Sequence, residues 1–221
     1  MTGRRRNNTV FDSGYCETRL QELFEPNGAR VSPEQLGQLV SLVKLLTDWN
    51  TTLNLTAIRD LDDILVLHIM DSAVISPLLR GENIADVGTG AGFPGLVLAI
   101  LEPGRRFTLI DSVAKKLSFV RTAMVELRIM NVSIVNGRCE NLRPEPLFDT
   151  VVSRAFAPLD RFVSLCTRLI APAGLFIAMK ANLDESELKD IPKSVKIESI
   201  ISLKVPGLSA KRQAVLLAPS C

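Results

Sequence analysis

One short stretch concentrates the chemistry available to this chain: Asp86-Val87-Gly88-Thr89-Gly90-Ala91-Gly92-Phe93-Pro94-Gly95. Glycines tolerate positive φ and let a ligand approach the backbone closely. Apolar runs flank the stretch, Ile84 to Val87 before it and Leu96 to Leu101 after it, so it reads as strand, turn and helix. Pro94 suits the first helical turn, where its missing N–H costs nothing. The first N–H groups of that helix are then offered to an electron-rich ligand. The pattern fits a nucleotide-like cofactor. Gly90 to Gly95 also matches G-x-G-x-x-G, the dinucleotide fingerprint, which on its own is a weak signal. Asp86 bears on the choice: a carboxylate there suits a ligand carrying an ammonium and a sulfonium, and repels a pyrophosphate. A glycine-rich connection that binds nothing is the bland alternative.

The remaining candidates fall at the ends of apolar runs, and in open α/β sheets the ligand lies beyond the carboxyl ends of the strands. The run Phe107 to Ile110 ends at Asp111, placed to accept from both ribose hydroxyls of an adenosine. NAD enzymes share that feature, so it does not choose between cofactors. The loop Gly137-Arg138-Cys139-Glu140-Asn141 is placed to run beside an adenine, with backbone N–H groups or Glu140 reading the base edge. Arg154 and Lys180 follow two further strands. An arginine and a lysine at neighbouring strand ends suit an anionic partner and are the positioning candidates for a reaction there. The stretch Val151 to Pro158 holds no Asn-Pro-Pro-Tyr, which would suit an exocyclic amine, and no nucleophilic cysteine, which a pyrimidine carbon needs. Cys166 falls within the next helix and reads as core. His68 and Asp71, three apart, share one helix face. They read either as a hydrogen-bonded pair holding that helix to the sheet or as the lining of a base pocket.

These residues need a scaffold, and the chain supplies one. Its 221 residues are 47% hydrophobic with a net charge of +2, enough for a buried core and too balanced for a global polycation field. The four cysteines, Cys16, Cys139, Cys166 and Cys221, are scattered without a C-x-x-C pair. That implies no metal site and free thiols in a reducing, cytoplasmic setting. No apolar stretch is long enough to span a bilayer. Residues 1–14, with Arg4-Arg5-Arg6, read as a disordered basic tail. Residues 15–80 read as helices: Ser32-Pro33-Glu34-Gln35 fits a capping box, Leu36 to Trp49 recur at helical spacing, and Asp60 or Asp62 starts a further helix. Residues 81–221 alternate strands and helices. Strands are predicted at 83–87, 107–110, 132–136, 148–153, 174–179, 197–203 and 213–218. Helices are predicted at 94–102, 114–130, 159–170 and 184–190. The last two strands meet around Pro206-Gly207, too close for a parallel crossover, so they should pair antiparallel.

An acid before Gly-x-Gly-x-Gly, in a seven-stranded sheet of that kind, resembles the S-adenosylmethionine-dependent methyltransferases. That implies an α/β, Rossmann-like fold, mostly parallel with an antiparallel last strand, plus an N-terminal helical segment. More specific are Trp49-Asn50, Asn54-Leu55-Thr56-Ala57-Ile58, His68-Ile69-Met70-Asp71-Ser72, Asp111-Ser112 with Lys115-Lys116, and Ser153-Arg154-Ala155. In order, across roughly residues 16–218, these resemble the RsmG (GidB) family of 16S ribosomal RNA methyltransferases. The resemblance implies methyl transfer from S-adenosylmethionine to guanine N7, at rRNA nucleotide 527. The partner it implies is 16S ribosomal RNA or the small subunit, with no membrane and a monomeric enzyme. It also implies cofactor contacts at Gly88, Phe93, Cys139, Glu140 and Arg154, which join Asp86, Gly90 and Asp111. Cys139 stands where the family often has a small or aliphatic residue, which a backbone contact tolerates. Guanine N7 carries a lone pair and no proton, so no general base is required. Because a guanidinium bidentate to O6 and N7 would block the nucleophile, Arg154 is expected on the cofactor side. Lys180 and Arg212 are expected on phosphates, and His68 and Asp71 complete the substrate-side candidates. Three other readings remain open: a methyltransferase for a small molecule, an NAD-dependent oxidoreductase, and an RNA-binding protein holding the cofactor only structurally.

Overall fold

Apolar runs with both faces covered become the strands of a parallel sheet. In a computed structural model describing residues 11–25, 31–154 and 156–220, these are β1 (Asn83–Val87), β2 (Arg106–Asp111), β3 (Val132–Asn136), β4 (Phe148–Arg154), β5 (Ile170–Lys180), β6 (Val195–Ser202) and β7 (Gln213–Pro219). They form one sheet in the order β3-β2-β1-β4-β5-β7-β6. β1 pairs in parallel with β2 and β4, β2 with β3, and β4 with β5. β7 inserts antiparallel between β5 and β6. The fold is that of the Rossmann-like methyltransferases, as expected. After β3 the chain crosses back to place β4 beside β1, which makes the carboxyl ends of β1 and β4 the switch point where ligands bind.

The helices are α1 (Ser13–Phe24), α2 (Pro33–Leu53), α3 (Leu61–Ile64), α4 (Asp71–Ala73), α5 (Gly95–Leu101), α6 (Ala114–Glu126), α7 (Leu159–Cys166) and α8 (Glu185–Lys189), with a π-helical turn at Leu65–Met70 between α3 and α4. The Ser32–Gln35 capping box forms as read, and Asp60, the first of the two acids considered, caps α3. The tail reading lies outside the described residues up to position 10. Its last residues differ, because Asp12 accepts from the Tyr15 N–H at 2.9 Å and starts α1. α6 stops at Glu126, short of the predicted 130. Arg128 takes a left-handed φ of 53°, and the Ile129 N–H turns back to the Met124 carbonyl at 2.9 Å. Among the described residues no helix is long and apolar enough to cross a membrane.

Alternation along the central strands feeds two cores. Val152, Leu175, Ile177 and Leu216 face the N-terminal helices with α5 and α6. Val151, Phe176, Val215 and Leu217 face α7, whose Phe162 and Cys166 are buried there. The N-terminal helices therefore share their core with the sheet. A second tie comes from the β6–β7 connection. Gly207 has φ +81°, and a Cβ on it would lie 2.7 Å from Val66 Cγ2 and 3.1 Å from Leu23 Cδ2. Both the conformation and the close approach exclude a side chain. We expect Gly207→Ala to lower the unfolding free energy by about 1–3 kcal/mol, read as a lower urea midpoint at unchanged slope. A midpoint equal to wild type would show that this turn is not held against the helices.

Candidate functional site

The glycine loop leaves β1 and turns on itself before α5. Gly88, Gly90 and Gly92 have φ of 71°, 60° and 85°, conformations that only glycine adopts without strain. The N–H groups of Gly88 and Thr89 both reach the Ile110 carbonyl, at 2.9 and 3.1 Å. Two carboxylates then fix the turn from opposite sides. Asp111 accepts from Gly90 N–H through Oδ2 and from Val113 N–H through Oδ1, each at 2.8 Å. Asp86 accepts through Oδ2 from the Thr89 hydroxyl at 2.6 Å and from Gly95 N–H at 2.8 Å.

Two expectations for this loop are corrected. Asp86 has no exposed surface and lies behind the loop, so it shapes the turn and does not meet a ligand. Its Oδ1 has no hydrogen-bond partner among the described residues. Burial pushes its carboxyl up to about 6, against the pull of the Thr89 and Gly95 hydrogen bonds. Nor is the N-terminus of α5 open to a ligand. Gly95 N–H is held by Asp86, Leu96 N–H by the Gly92 carbonyl at 2.7 Å, and Pro94 stands at the cap rather than in the first turn.

Outside the loop lies a cavity of about 430 Å³ bounded by Gly88, Asp111, Cys139 and Glu140. Four of the predicted cofactor residues are thus brought together from the ends of three strands. An adenosyl group suits this lining. Each Asp111 oxygen uses one backbone N–H and keeps a lone pair for a ribose hydroxyl. Gly88 presents bare backbone: a Cβ there would come within 2.5 Å of Phe156 Cδ2, a ring 36% exposed at the cavity wall. Behind the wall, Cys139 and Cys166 are buried with their sulfurs 3.9 Å apart. Phe93 and Arg154 do not line this cavity. Phe93 is buried and stacks on His68, centroids 4.8 Å apart and rings inclined by 23°.

Arg154 instead lines a second cavity of about 270 Å³, together with His68, Asp71, Lys180 and Arg212. The four substrate-side candidates therefore do converge, but neither as a His68–Asp71 pair nor as free phosphate ligands. Asp71 accepts from Arg212 Nε through Oδ1 at 3.0 Å and from Arg154 through Oδ2 at 3.5 Å. Arg154 also donates to the Leu67 carbonyl at 2.9 Å, which the π-helical turn presents to it. Its third partner is His68 Nδ1 at 3.3 Å. A guanidinium only donates, so Nδ1 is the acceptor, and the proton of His68 sits on Nε2 and is given to Thr56 Oγ1 at 2.9 Å. Burial first, and Arg154 second, push the imidazole down to about 3, which keeps it neutral. Lys180 is taken by Glu187 at 2.6 Å, with its side chain 14% exposed. Sequence reasoning missed Glu187, Thr56 and the Leu67 carbonyl, since each reaches its partner from another element. Only Thr56 lay within a motif singled out beforehand.

The family model for rRNA small subunit methyltransferase G (GidB) matches residues 35–216. The ribosomal RNA small subunit methyltransferase G of Escherichia fergusonii is 42% identical over 202 residues, 91% of this chain and 98% of that protein. The protein of the same description from Actinobacillus succinogenes is 45% identical over 199 residues, 90% of this chain and 94% of its own. A solved SAM-dependent methyltransferase from Aquifex aeolicus shares the fold with a TM-score of 0.51 at 17% identity, over 70% of this chain and 92% of that one. With a family model spanning most of its length and relatives matched nearly end to end, this chain belongs to the rRNA small subunit methyltransferase G family.

Proposed function

We propose that this protein methylates N7 of a guanosine in 16S ribosomal RNA, using S-adenosylmethionine held in the larger cavity. Family membership supports the ribosomal RNA substrate. The observation that carries the choice of N7 is the smaller cavity, where no side chain among the described residues stands uncommitted as a base. His68 is neutral, but its one unprotonated nitrogen already accepts from Arg154. Asp71, the one carboxylate among the described residues of the lining, is committed to ion pairs with two guanidiniums, Arg154 and Arg212, which taking up a proton would break. An amine or hydroxyl acceptor needs a base there, whereas guanine N7 carries no proton. When bound, S-adenosylmethionine supplies a methyl group on a positively charged sulfur. The chain's own part is positioning: Gly88, Asp111 and the Cys139–Glu140 backbone hold the adenosyl end, and Arg154, at the end of β4, orders the smaller cavity. Holding reactants in line recovers roughly 7–11 kcal/mol of barrier in well-oriented systems.

The direct test compares 16S rRNA from cells with and without the gene, mapped for N7-methylguanosine. Loss of one modification, restored by purified protein with S-adenosylmethionine, is the expected result. An unchanged map would sink the proposal, and turnover on small molecules without RNA would favour the alternative substrate class.

Cofactor binding isolates the larger cavity. Gly88→Ala places a methyl against Phe156 at a left-handed backbone position, so the dissociation constant for S-adenosylmethionine should rise about tenfold or more in calorimetric titration, with the circular dichroism spectrum unchanged. Equal affinity would show that the cofactor does not approach this backbone.

His68 separates a positioning role from a basic one. Between pH 6 and 8 the folded imidazole stays neutral, so the rate of methylation should show no ionisation near 6–7 that depends on His68. An ionisation there, abolished by His68→Ala, would make the histidine a base. Stability should respond on the acid side. The folded value near 3 lies below an unfolded value near 6.5, so the unfolded chain binds the proton first. The contribution of His68 therefore turns against the folded state as pH falls from about 6.5 toward 3 and is constant above, which the comparison with a variant lacking the imidazole isolates. At pH 4.5 the loss is on the order of 2 kcal/mol relative to a His68→Gln variant. A parallel pH dependence of the two proteins would contradict the buried neutral imidazole.

A further inference from the structure

Three cations stand at the mouth of the larger cavity, and holding the cofactor does not require them. Lys116 lies in the first turn of α6 after β2, Arg138 follows β3, and Arg161 lies in the first turn of α7 after β4. All three line the cavity. With the strand order β3-β2-β1-β4, they come from both sides of the glycine loop across three strand spacings, roughly 14 Å at about 4.8 Å each. The Lys116 ammonium hangs over the loop itself, 4.0 Å from where a Cβ on Gly90 would be.

Three other cations at this edge are already matched. Lys180 is held by Glu187, while Arg154 and Arg212 share Asp71. By contrast, neither Lys116 nor Arg161 has a side-chain hydrogen bond or ion pair among the described residues. Arg138 approaches Glu140 only to 3.9 Å with its side chain 74% exposed, a contact of little strength. The carboxylates on the same wall are Asp111, engaged by two backbone N–H groups, and Glu140, which accepts from the Cys139 thiol at 3.5 Å. Three cations against two carboxylates leave one positive charge at the mouth. S-adenosylmethionine carries two positive groups and one carboxylate, so this excess opposes rather than recruits it. A polyanion laid across the mouth accounts for the excess.

We propose that Lys116, Arg138 and Arg161 form a phosphate clamp that holds the ribosomal RNA backbone across the mouth of the cofactor cavity, beside the target nucleotide. The clamp rests on the RNA-substrate reading and takes over the phosphate role expected of Lys180 and Arg212, whose charges are compensated inside the chain.

The test is equilibrium binding of the full chain to 16S rRNA over a range of salt, with S-adenosylmethionine affinity measured separately without RNA. Each phosphate contact to a single strand contributes about 0.7 to the slope of log affinity against log salt. The triple variant Lys116→Ala, Arg138→Ala, Arg161→Ala should therefore lose about two units of slope while keeping its cofactor affinity within about threefold. A control with three exposed cations removed at the opposite edge of the sheet (Arg106→Ala, Arg128→Ala, Lys196→Ala) should keep the wild-type slope. An unchanged slope in the triple variant, an equal loss in the control, or a collapse of cofactor affinity would each overturn the clamp. If wild type itself shows no salt-dependent binding to the RNA, the substrate reading fails instead, and the two failures are distinguishable.

Discussion

A carboxylate with no exposed surface holds the cofactor loop in shape. Asp86 closes the turn between β1 and α5 by accepting from Thr89 and Gly95, so the loop's backbone is pressed outward against Gly88 and Gly90. The arrangement explains Gly95 directly: a Cβ there would lie 2.8 Å from the Asp86 oxygen and as close to Leu109. Burying a carboxylate with one oxygen unpaired is costly. The cost is tolerated because the hydrogen bonds and the positive charge of Arg154 both favour the ionised form. What faces the ligand is then a bare backbone surface backed by Asp111, and not a second negative charge.

From Asp86 the electrostatics run outward as alternating charges, through Arg154 and Asp71 to Arg212. Burial lowers the proton affinity of Arg154, and Asp71 and Asp86 offset part of that loss. Each member is stable only because of its neighbours, and removing one partner from such a set leaves an uncompensated buried charge. The network therefore behaves as a rigid frame. It anchors the end of β4 to the π-helical turn through the Leu67 carbonyl and to the start of β7 through Arg212. Those anchors hold the end of β4 in place beside the smaller cavity, and a reaction that depends on alignment requires such rigidity.

Much of this was legible in the chain. β1 and β3 have the bounds read from the sequence, and the antiparallel hairpin followed from the short link at Pro206-Gly207. Two sets of candidates gathered, Gly88, Asp111, Cys139 and Glu140 at one cavity and His68, Asp71, Lys180 and Arg212 at the other, while Asp86, Gly90 and Phe93 line neither. What stayed hidden has one physical cause: local patterns place a residue on an element but do not name its partner. Asp86 was readable as an acid at a strand end. That it points inward depends on Thr89 and Gly95 folding back over it. Phe93 sits in the loop motif yet packs on His68 from another element. Lys180 and Arg212 read as free cations because Glu187 and Asp71 reach them only in three dimensions. The π-helical turn escaped as well, since widening one turn leaves the apolar spacing almost intact.

The charge balance of the site then accounts for its sparse chemistry. Methylating an unprotonated ring nitrogen moves a positive charge from one partner to the other and creates none, so the site needs no new stabilising group at the moment of reaction. Fixed, mutually compensated charges are enough, and a titratable base would be a liability because its protonation would disturb the Arg154 frame. The neutral imidazole of His68 is consistent with that demand: it accepts from Arg154, donates to Thr56, and keeps both roles across the working pH range. The uncompensated cations are left at the rim, where an anionic backbone can meet them without perturbing the buried set.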